Sequence, residues 1–513
     1  MTIYPIDNRA GIKTLQDLAK PGSKVVLAAK EVPVGQYALA FLDKASQDPA
    51  FGAGFKGAVL KNTVSYEQDV KAVLGKIMLD EADAGIVYAT DVTPAAAAKP
   101  AEGAKPAAGG PVVVWQGLDY LPEVTGLMNE RFTAVAKEKG FQMTFEELPS
   151  GAASTDRFKA AVQANTPPDI YRNFDYENQF WRIQGQIVDV SDIVNPVKDK
   201  EGGFLQPVNG TLVYDNKYWG VPMAVNCWPF HVRQDLLDKA GLKYPKNWDE
   251  LREHGKQLTK APLYYFGMTL GKVNDSNNHF TGMVWTFGGK LQNDDGSFAV
   301  KPNDEAWLKS IDLILQMYDS DKIIPPGSTT WDDGGNNMAY QSEQLVVTSN
   351  PTSVYNWCVQ NKPELAKATK FYSYPAGPAG SFGQVDVWGL GLFKNGKGGD
   401  NARTLLNSFI DPTWYAQYIN KGLKGRFVPV FKNMGQDPLW KQDLYSEYQT
   451  IIDTARSMAY SAAPLGAIAE ITSKFVIADL VQDVVVKKVK PADALATFVK
   501  TAGEIYAKPE NKR

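Results

Sequence analysis

The feature that most constrains this 513-residue chain is a spacer in its first quarter. Residues 93–111 read TPAAAAKPAEGAKPAAGGP, and these nineteen residues include eight alanines, four prolines and three glycines. The spacer offers no large apolar side chain to bury, and its recurring prolines favour extended polyproline II, which could reach on the order of 60 Å. We therefore expect two segments, residues 1–92 and 112–508, that fold and unfold independently of each other.

The composition excludes several classes of protein. The 54 Lys and Arg residues nearly balance 57 Asp and Glu, which gives no electrostatic reason to expect nucleic acid as a partner. The sequence contains no uninterrupted run of about 18 apolar residues, so no membrane-spanning helix is predicted. Cys227 and Cys358 are too few for a disulfide scaffold and lack the spacing of a zinc site, so we expect no metal and no cofactor. The residues that follow Met1 lack the basic and apolar stretches of a secretory signal, which indicates either a cytoplasmic protein or a natural start further upstream.

The first segment alternates strand and helix signals. Short β-rich runs at 24–29, 58–60 and 84–88 predict strands, and helical spacing at 37–45 and 67–78 predicts two helices. Gly52, Gly54 and Gly57 match G-x-G-x-x-G only formally, because a helix-like stretch rather than a strand precedes them. The pattern indicates a small α/β unit without a dinucleotide site.

Four fragments of this segment follow the order and spacing of a known family: GIKTLQDLAKPG (11–22), VPVGQYA (32–38), SYEQDVKAVL (65–74) and DEADAGIVYATD (80–91). They resemble the second lobe of the periplasmic molybdate-binding proteins. The resemblance implies oxyanion contacts at Val34, Val70 and Tyr88. The first lobe of that family, which supplies serine hydroxyls to the anion, has no counterpart in the sequence. We therefore expect these three positions to be vestigial and the chain to bind no molybdate.

The second segment continues the alternation. It opens with a strand at 112–115, a helix at 123–139, a strand at 143–147 and a helix at 157–164, which predicts α/β architecture with largely parallel sheets. About 400 residues exceed one comfortable core, so two lobes are expected. The last stretch of roughly 70 residues turns helical. Its apolar residues at helical spacing are Phe475, Ile477, Leu480, Val481, Val484 and Val485.

An ordered series of fragments identifies a second family. The series is PPDIY (167–171), VYDNKYWGVPMAVNCWPFHVRQDLLDKAGL (213–242), PKNWDEL (245–251), FGGKLQNDDGSF (287–298), MAYQSEQLVVTSN (338–350), YPAGPAG (374–380), VWGLGLFKNG (387–396), GRFVPV (425–430) and KPADALATF (490–498). Together they resemble the family 1 extracellular solute-binding proteins, the maltose-binding-protein-like components of bacterial ABC importers. The resemblance implies a type II periplasmic-binding-protein fold, in which two α/β lobes joined by hinge strands close on a solute.

Solutes in such folds bind where the carboxyl ends of strands meet the cleft. The candidate ligand-binding residues at such ends are Trp115, Asp119, Asn173, Asp175, Asn226, Trp228, Trp285, Asn350, Trp388 and Arg426. Each candidate keeps two interpretations. A tryptophan either stacks on the apolar face of a sugar or packs in a core. Asn350 either binds solute or stabilises a turn, and Arg426 either pairs with a solute carboxylate or phosphate or locks its lobe.

Enzyme signatures are missing from the sequence. H-E-x-x-H, G-x-S-x-G and the phosphate-binding G-x-x-x-x-G-K-[ST] do not occur, so no catalytic residue is predicted. His231, His254 and His279 are widely spaced and indicate surface or structural roles rather than metal ligands.

The leading hypothesis is a non-enzymatic binding component of an ABC importer. It would take a carbohydrate or polyol and deliver it to the transmembrane subunits of a permease, as a periplasmic or extracellular membrane-associated protein. One alternative is an oxyanion-binding protein that uses the first segment. The other is a glycan-modifying enzyme with paired carboxylates about 5–10 Å apart, for which Asp119 and Asp175 are the candidates.

Overall fold

The computed structural model describes residues 2–3, 12, 14–30, 33–67, 73, 76–77, 81–87, 110–117, 119, 121–148, 152–462 and 465–511. The chain divides into two compact units, Met1–Gly103 and Ala104–Arg513. None of the helices in these described stretches combines the length and apolar character needed to cross a membrane.

The small unit is built on a four-stranded sheet of order β1-β4-β2-β3. Its strands are β1 Thr2–Ile3, β2 Val25–Ala28, β3 Thr63–Glu67 and β4 Ala84–Ile86. Two of its helices are α1 Pro33–Ala45 and α2 Phe55–Asn62. Strand β2 pairs in parallel with both β3 and β4, and its four residues are all buried. The predicted small α/β unit is therefore confirmed.

The strand predicted at 58–60 is wrong, because these residues lie inside α2. Phe55 and Val59 are four residues apart and both buried, so this stretch has the period of a helix, and the strand begins at Thr63. Of the helix predicted at 67–78, residue Glu67 ends β3 and residues 73, 76 and 77 are helical. Val70 and Tyr88 lie outside the described residues.

The large unit contains two sheets, which define its two lobes. Lobe I has the order β10-β15-β7-β5-β6, lobe II has the order β12-β13-β11-β14, and β8 and β9 form a separate pair. The strands are β5 Val112–Gly117, β6 Met143–Leu148, β7 Ile170–Phe174, β8 Val213–Tyr214, β9 Lys217–Tyr218, β10 Val221–Cys227, β11 Phe230–Arg233, β12 Tyr264–Gly267, β13 Leu345–Ser349, β14 Thr369–Tyr372 and β15 Val385–Leu392.

Helices connect these strands. They are α3 Glu123–Lys139, α4 Ala152–Gln163, α5 Asp175–Ile183, α6 Ser191–Val194, α7 Gln206–Leu212, α8 Gln234–Lys239, α9 Trp248–Leu258, α10 Asn274–Thr286, α11 Glu305–Leu315, α12 Gly335–Gln341, α13 Ser353–Asn361, α14 Pro363–Ala368, α15 Gly399–Ile410, α16 Pro412–Ala416, α17 Tyr448–Asp453, α18 Gly466–Ser473, α19 Val476–Val485 and α20 Pro491–Ala507. The predicted helix at 123–139 is confirmed at both ends, and Gly140, at φ 76°, terminates it in the left-handed conformation that glycine favours.

The prediction of largely parallel sheets is wrong for the large unit. Among the described pairings of its two main sheets, β5 with β6, β5 with β7 and β12 with β13 are parallel. The other four are antiparallel. Every antiparallel pairing involves a strand that directly precedes or follows a crossing between the lobes. These strands therefore account for the mixture of parallel and antiparallel pairings.

Three neighbouring chain segments form the crossing between the lobes. Residues 228–229 join β10 to β11, residues 373–384 join β14 to β15, and residues 454–458 lead from α17 to the C-terminal helices. The Trp228 amide donates to the Gln384 carbonyl at 3.0 Å, and the Val385 amide donates to the Arg456 carbonyl at 3.0 Å. These backbone bonds hold the segments side by side as a hinge.

Each lobe has its own core. In lobe I, helix α3 buries Val124, Met128 and Phe132, spaced four residues apart, against the sheet. In lobe II, the C-terminal helices pack on the second sheet, and α19 buries the predicted apolar positions 477, 480, 481, 484 and 485. The predicted helical C-terminus is therefore confirmed.

Candidate functional site

Five of the ten candidate residues meet at the hinge edge of lobe I. Asp119 follows β5, Asn226 lies near the end of β10, Trp228 is in the first crossing segment, Trp388 is in β15, and Arg426 lies in a loop beside β10. A sixth residue, Asp386, pairs directly with Asn226 in the sheet register. These six side chains form one continuous hydrogen-bond network, which we call the hinge network.

Asp386 is the centre of one half of the hinge network. Its carboxylate accepts the indole N–H of Trp228 at 2.7 Å, the indole N–H of Trp388 at 2.5 Å and the amide of Asn226 at 3.1 Å. Burial raises the pKa of Asp386 to about 6, while these three donors and Arg426 favour its charged form. The carboxylate is thus ionised at neutral pH and fixes the planes of two tryptophan rings.

Arg426 is the centre of the other half. Its Nε and Nη2 atoms donate to the two oxygens of Asp119 at 2.9 and 2.7 Å, and its Nη1 donates to the Asn226 side-chain oxygen at 2.9 Å. Burial opposes the charge on Asp119, yet the Arg426 guanidinium outweighs it and holds the pKa of that carboxyl below its usual value. Each nitrogen of Arg426 therefore has a partner within lobe I, which favours the locking role over a contact with solute.

Two residues of this region were missed by sequence reasoning. Asp386 is the charged position in the otherwise apolar run of β15, and that interruption was the available signal. Arg172 lies in β7, and its guanidinium stacks 3.9 Å above the Trp388 ring. The available signal was a positively charged residue inside a strand that precedes the cleft. Sequence reasoning selected the neighbouring Asn173 instead.

Asn350 lies in lobe II at the end of β13. Its side-chain amide donates to Asp275 at 3.2 Å and to Asn336 at 3.1 Å, and it also contacts Asn337. Asn350 and its three partners are all buried, and burial raises the pKa of Asp275 well above its usual value. Asn350 thus ties the start of α10 to the start of α12, which favours its structural interpretation.

Side chains at the hinge also connect the two lobes. The Thr352 hydroxyl, between β13 and α13, donates to the Arg426 carbonyl at 2.7 Å. Gln384 accepts from the Tyr374 hydroxyl at 2.7 Å and donates to Asn278 of α10 at 3.0 Å. The ring of Trp228 meets His279 of lobe II edge-on, with centroids 6.2 Å apart. The hinge network therefore borders lobe II directly.

The remaining tryptophan and asparagine candidates lie apart from this network. Trp115 packs in a side cluster of lobe I, with the Arg157 guanidinium 4.5 Å from its ring. Asn173 is 1% exposed and donates to the Tyr171 carbonyl at 3.3 Å. Trp285 is also 1% exposed, and it lies six residues, or about 9 Å, along α10 from His279, the residue that meets Trp228.

Two candidates are only partly described. Asp175 begins α5, and Val34 lies in the first turn of α1. The side chains of both fall outside the described residues.

The histidines and cysteines are placed as structural groups. Burial lowers the pKa of His231 to about 3 and that of His279 to about 4, so both stay neutral. Cys227 and Cys358 are buried free thiols, and burial raises the pKa of both. No group of three or more His, Cys, Asp or Glu residues in the described part of the chain could hold a metal ion.

Comparison with protein families matches both units. Residues 119–416 match one model of bacterial extracellular solute-binding proteins, and residues 2–115 match a second model with the same description. The chain belongs to the bacterial extracellular solute-binding proteins. The predicted family is therefore confirmed.

Curated relatives of this solute-binding protein cover part of its length. A putative binding protein of Brucella abortus (strain 2308) is 27% identical over 239 residues, which is 45% of this chain and 55% of the relative. A probable amino-acid ABC transporter periplasmic-binding protein of Sinorhizobium fredii is 25% identical over 218 residues, 41% of this chain and 46% of the relative. The chain spans about half the length of the curated relatives it matches.

Solved structures show the fold of this solute-binding protein. A sugar transporter from Arthrobacter chlorophenolicus A6 with bound laminaribiose has a TM-score of 0.67 at 16% identity, over 78% of this chain and 100% of that one. An ABC transporter solute-binding protein from Agrobacterium radiobacter K84 in complex with ribitol has a TM-score of 0.67 at 17% identity, with the same coverage. The two-lobed α/β fold predicted for residues 112–508 is therefore confirmed.

Proposed function

We propose that this protein is the extracytoplasmic solute-binding component of an ABC importer, which binds a carbohydrate or polyol between lobes I and II and delivers it to the transmembrane subunits of a permease. The observation that carries the proposal is the pair of indole rings, Trp228 and Trp388, held on one carboxylate at the hinge edge. Its place of action is the periplasm or the outer face of a membrane.

The chemistry of the hinge network suits such a solute. Sugars and polyols present C–H faces that pack on indole rings, together with hydroxyls that need fixed donors and acceptors. Both rings are 5% exposed where the lobes meet, and Trp228 belongs to a segment that crosses between them. Opening the hinge would uncover these rings, and closing it would enclose a solute against them.

The carboxylates support binding rather than hydrolysis. A glycosidase needs one carboxyl group free to donate a proton and a second one free to attack or to activate water. Both oxygens of Asp119 accept from Arg426, and both oxygens of Asp386 accept from indole N–H groups. Neither group is available for proton transfer without dismantling the network.

A thermal-shift screen of the full chain, followed by calorimetric titration, tests this function. The panel contains maltose, laminaribiose, tagatose and ribitol, with amino acids and molybdate as competing classes. A ligand at 100 times its dissociation constant stabilises the folded state by about 2.7 kcal/mol, so one of the sugars or polyols should raise the melting temperature by several degrees. Stabilisation by amino acids or molybdate alone would reject a carbohydrate or polyol as the solute. Release of a cleaved sugar would reject a purely binding role.

A further inference from the structure

The hinge network contains one arginine, Arg426, and a second arginine, Arg172, lies beside the network. Arg426 uses all three of its nitrogens within lobe I. Arg172 lies over the Trp388 ring, and its Nη1 atom is buried without a hydrogen-bond partner in the described part of the chain. A buried guanidinium atom without a partner is costly, because its bonds to water are lost and not replaced.

In the described part of the chain, no carboxylate forms a hydrogen bond or ion pair with this guanidinium. Asp119 exerts the largest attraction on the Arg172 charge and Glu177 a smaller one, and both oxygens of Asp119 are already bonded to Arg426. Asp386 accepts the N–H of the Trp388 indole. Burial lowers the pKa of Arg172, but an arginine side chain remains protonated in proteins. The charge of Arg172 is therefore carried without a direct partner.

The space beside the guanidinium is kept open by a glycine. Gly117 ends β5, and a Cβ atom built there would lie 3.0 Å from Arg172 Nη2. Any larger residue would crowd the guanidinium at the edge of the sheet where the carboxyl ends of β5 and β7 face the other lobe. Arg172 is therefore a cation without an ion-pair partner in the described residues, beside the end of β5 and over the Trp388 ring.

We infer that Arg172 determines the specificity of the cleft and that the solute is an acidic sugar or polyol, whose carboxylate or phosphate group pairs with the Arg172 guanidinium. This inference rests on the proposed function. A guanidinium binds two oxygens of such a group through charge-assisted hydrogen bonds, whereas a neutral hydroxyl would leave the charge uncompensated. The rings of Trp228 and Trp388 then hold the carbon skeleton.

Matched pairs of ligands test the inference on the full chain. D-glucose is compared with D-glucuronate and D-glucose 6-phosphate, and ribitol with ribitol 5-phosphate, by calorimetric titration. At least one acid should bind at least tenfold more tightly than its neutral parent, and its affinity should fall between about 0.05 and about 0.5 M NaCl as screening increases. The carboxylate and phosphate members show which group is the natural one.

Variants assign the effect to Arg172. R172Q should weaken the acid at least tenfold and its neutral parent less than twofold, and R172K should be intermediate because a point charge replaces the fork. G117A keeps the charge but crowds the guanidinium, so it should also weaken the acid selectively. R182Q is the matched control, because the Arg182 guanidinium stacks 3.6 Å from the Tyr214 ring elsewhere in lobe I. Far-UV circular dichroism checks that each variant is folded.

The outcomes separate the two proposals. If a neutral sugar binds as tightly as its acid, or if R172Q weakens both equally, the inference is overturned and the proposed function stands. If no member of either series binds but a sugar of the thermal-shift panel does, the inference is overturned and the proposed function stands. If no member of the series or of the panel binds, both fail.

Discussion

The guanidinium of Arg426 holds the carboxylate of Asp119 through two hydrogen bonds of 2.9 and 2.7 Å, although 307 residues separate them in the chain. Both side chains are 4% exposed. The pair fixes the loop that carries Arg426 to the carboxyl end of β5, the strand that opens lobe I. One face of the cleft thus depends on an interaction between the two ends of its lobe.

Breaking this pair should destabilise the large unit strongly. In Asp119→Asn the Arg426 charge stays buried without its counter-ion, which typically costs about 3–5 kcal/mol. Urea unfolding followed by tryptophan emission measures the loss as a lower midpoint. Asp192→Asn provides the control, since Asp192 pairs with Arg403 at 2.6 Å with side chains 61% and 30% exposed, and it should cost less than about 1 kcal/mol. If the two variants lost the same amount of unfolding free energy, the Asp119–Arg426 pair would contribute no more than an exposed ion pair.

The hydrogen bonds that the two indole N–H groups donate to Asp386 should contribute to solute affinity separately from the aromatic rings. Trp228→Phe and Trp388→Phe keep an aromatic face but remove a hydrogen bond to a charged acceptor, worth about 1.5–3 kcal/mol. Each should weaken binding of the best ligand about tenfold or more in calorimetric titration. Trp285→Phe, in the buried end of α10, is the comparison and should leave affinity within a factor of two. A larger effect at Trp285 than at Trp228 would place the aromatic platform elsewhere.

The pH dependence of the unfolding free energy should reflect the titration of Asp386. Its pKa is raised from 3.8 to about 6 by burial, so between about pH 4 and pH 7 the folded state binds more protons at this group than the unfolded state. Its contribution is fully present below the unfolded pKa and is lost as pH rises through 6. At 1.36 kcal/mol per pKa unit, the contribution is about 3 kcal/mol.

Comparison with Asp386→Asn isolates this effect. Asp275 and Asp333 also have raised pKa values, so the wild-type curve alone mixes several groups. Of the charged and titratable groups facing Asp386, Arg426 keeps its charge and the Cys227 thiol stays protonated, because burial raises the pKa of Cys227. The difference in unfolding free energy between wild type and variant should shift against the wild type as pH rises from about 4 to 7. A pH-independent difference would show that Asp386 does not titrate in this range.

The two-lobed fold could be predicted because its signals lie in short stretches of sequence or in the order of such stretches along the chain. The apolar spacing of α3 and α19 specified those helices, and nine ordered fragments specified the family. The prediction failed at 58–60, where three apolar residues fit either a strand or a turn of helix and the packing of Phe55 with Val59 decided for the helix.

The site was predicted in part for a similar reason. Strand ends identify candidate residues near a cleft, and five of these candidates belong to the six-residue hinge network. Which of these side chains are already hydrogen-bonded within the protein depends on partners that are distant in the sequence. Arg426 bonds to Asp119, and Asn226 bonds to Asp386. Arg172 was missed because its buried Nη1 atom has no hydrogen-bond partner among the described residues, and only three-dimensional placement reveals this.

The last prediction concerns Thr352, whose hydroxyl reaches from lobe II to the Arg426 carbonyl at 2.7 Å and the Gly425 carbonyl at 3.2 Å. Because this hydroxyl bridges the two lobes, we expect it to stabilise the arrangement described here relative to one in which the lobes have moved apart. Thr352→Val keeps the shape of the side chain but removes the donor, a loss of about 1 kcal/mol or more of closure energy. We expect solute affinity to fall roughly fivefold or more.

Thr404→Val is the matched control, because the Thr404 hydroxyl forms an exposed hydrogen bond to the Asp400 carbonyl within α15 and bridges no lobes. Its affinity should equal that of the wild type. Small-angle X-ray scattering without ligand supplies an independent readout, since loss of an interlobe bond should increase the radius of gyration of Thr352→Val but not that of Thr404→Val. An unchanged affinity together with an unchanged radius in Thr352→Val would show that this hydroxyl plays no part in closure, and the interlobe contacts of Gln384 would then be the ones to remove next.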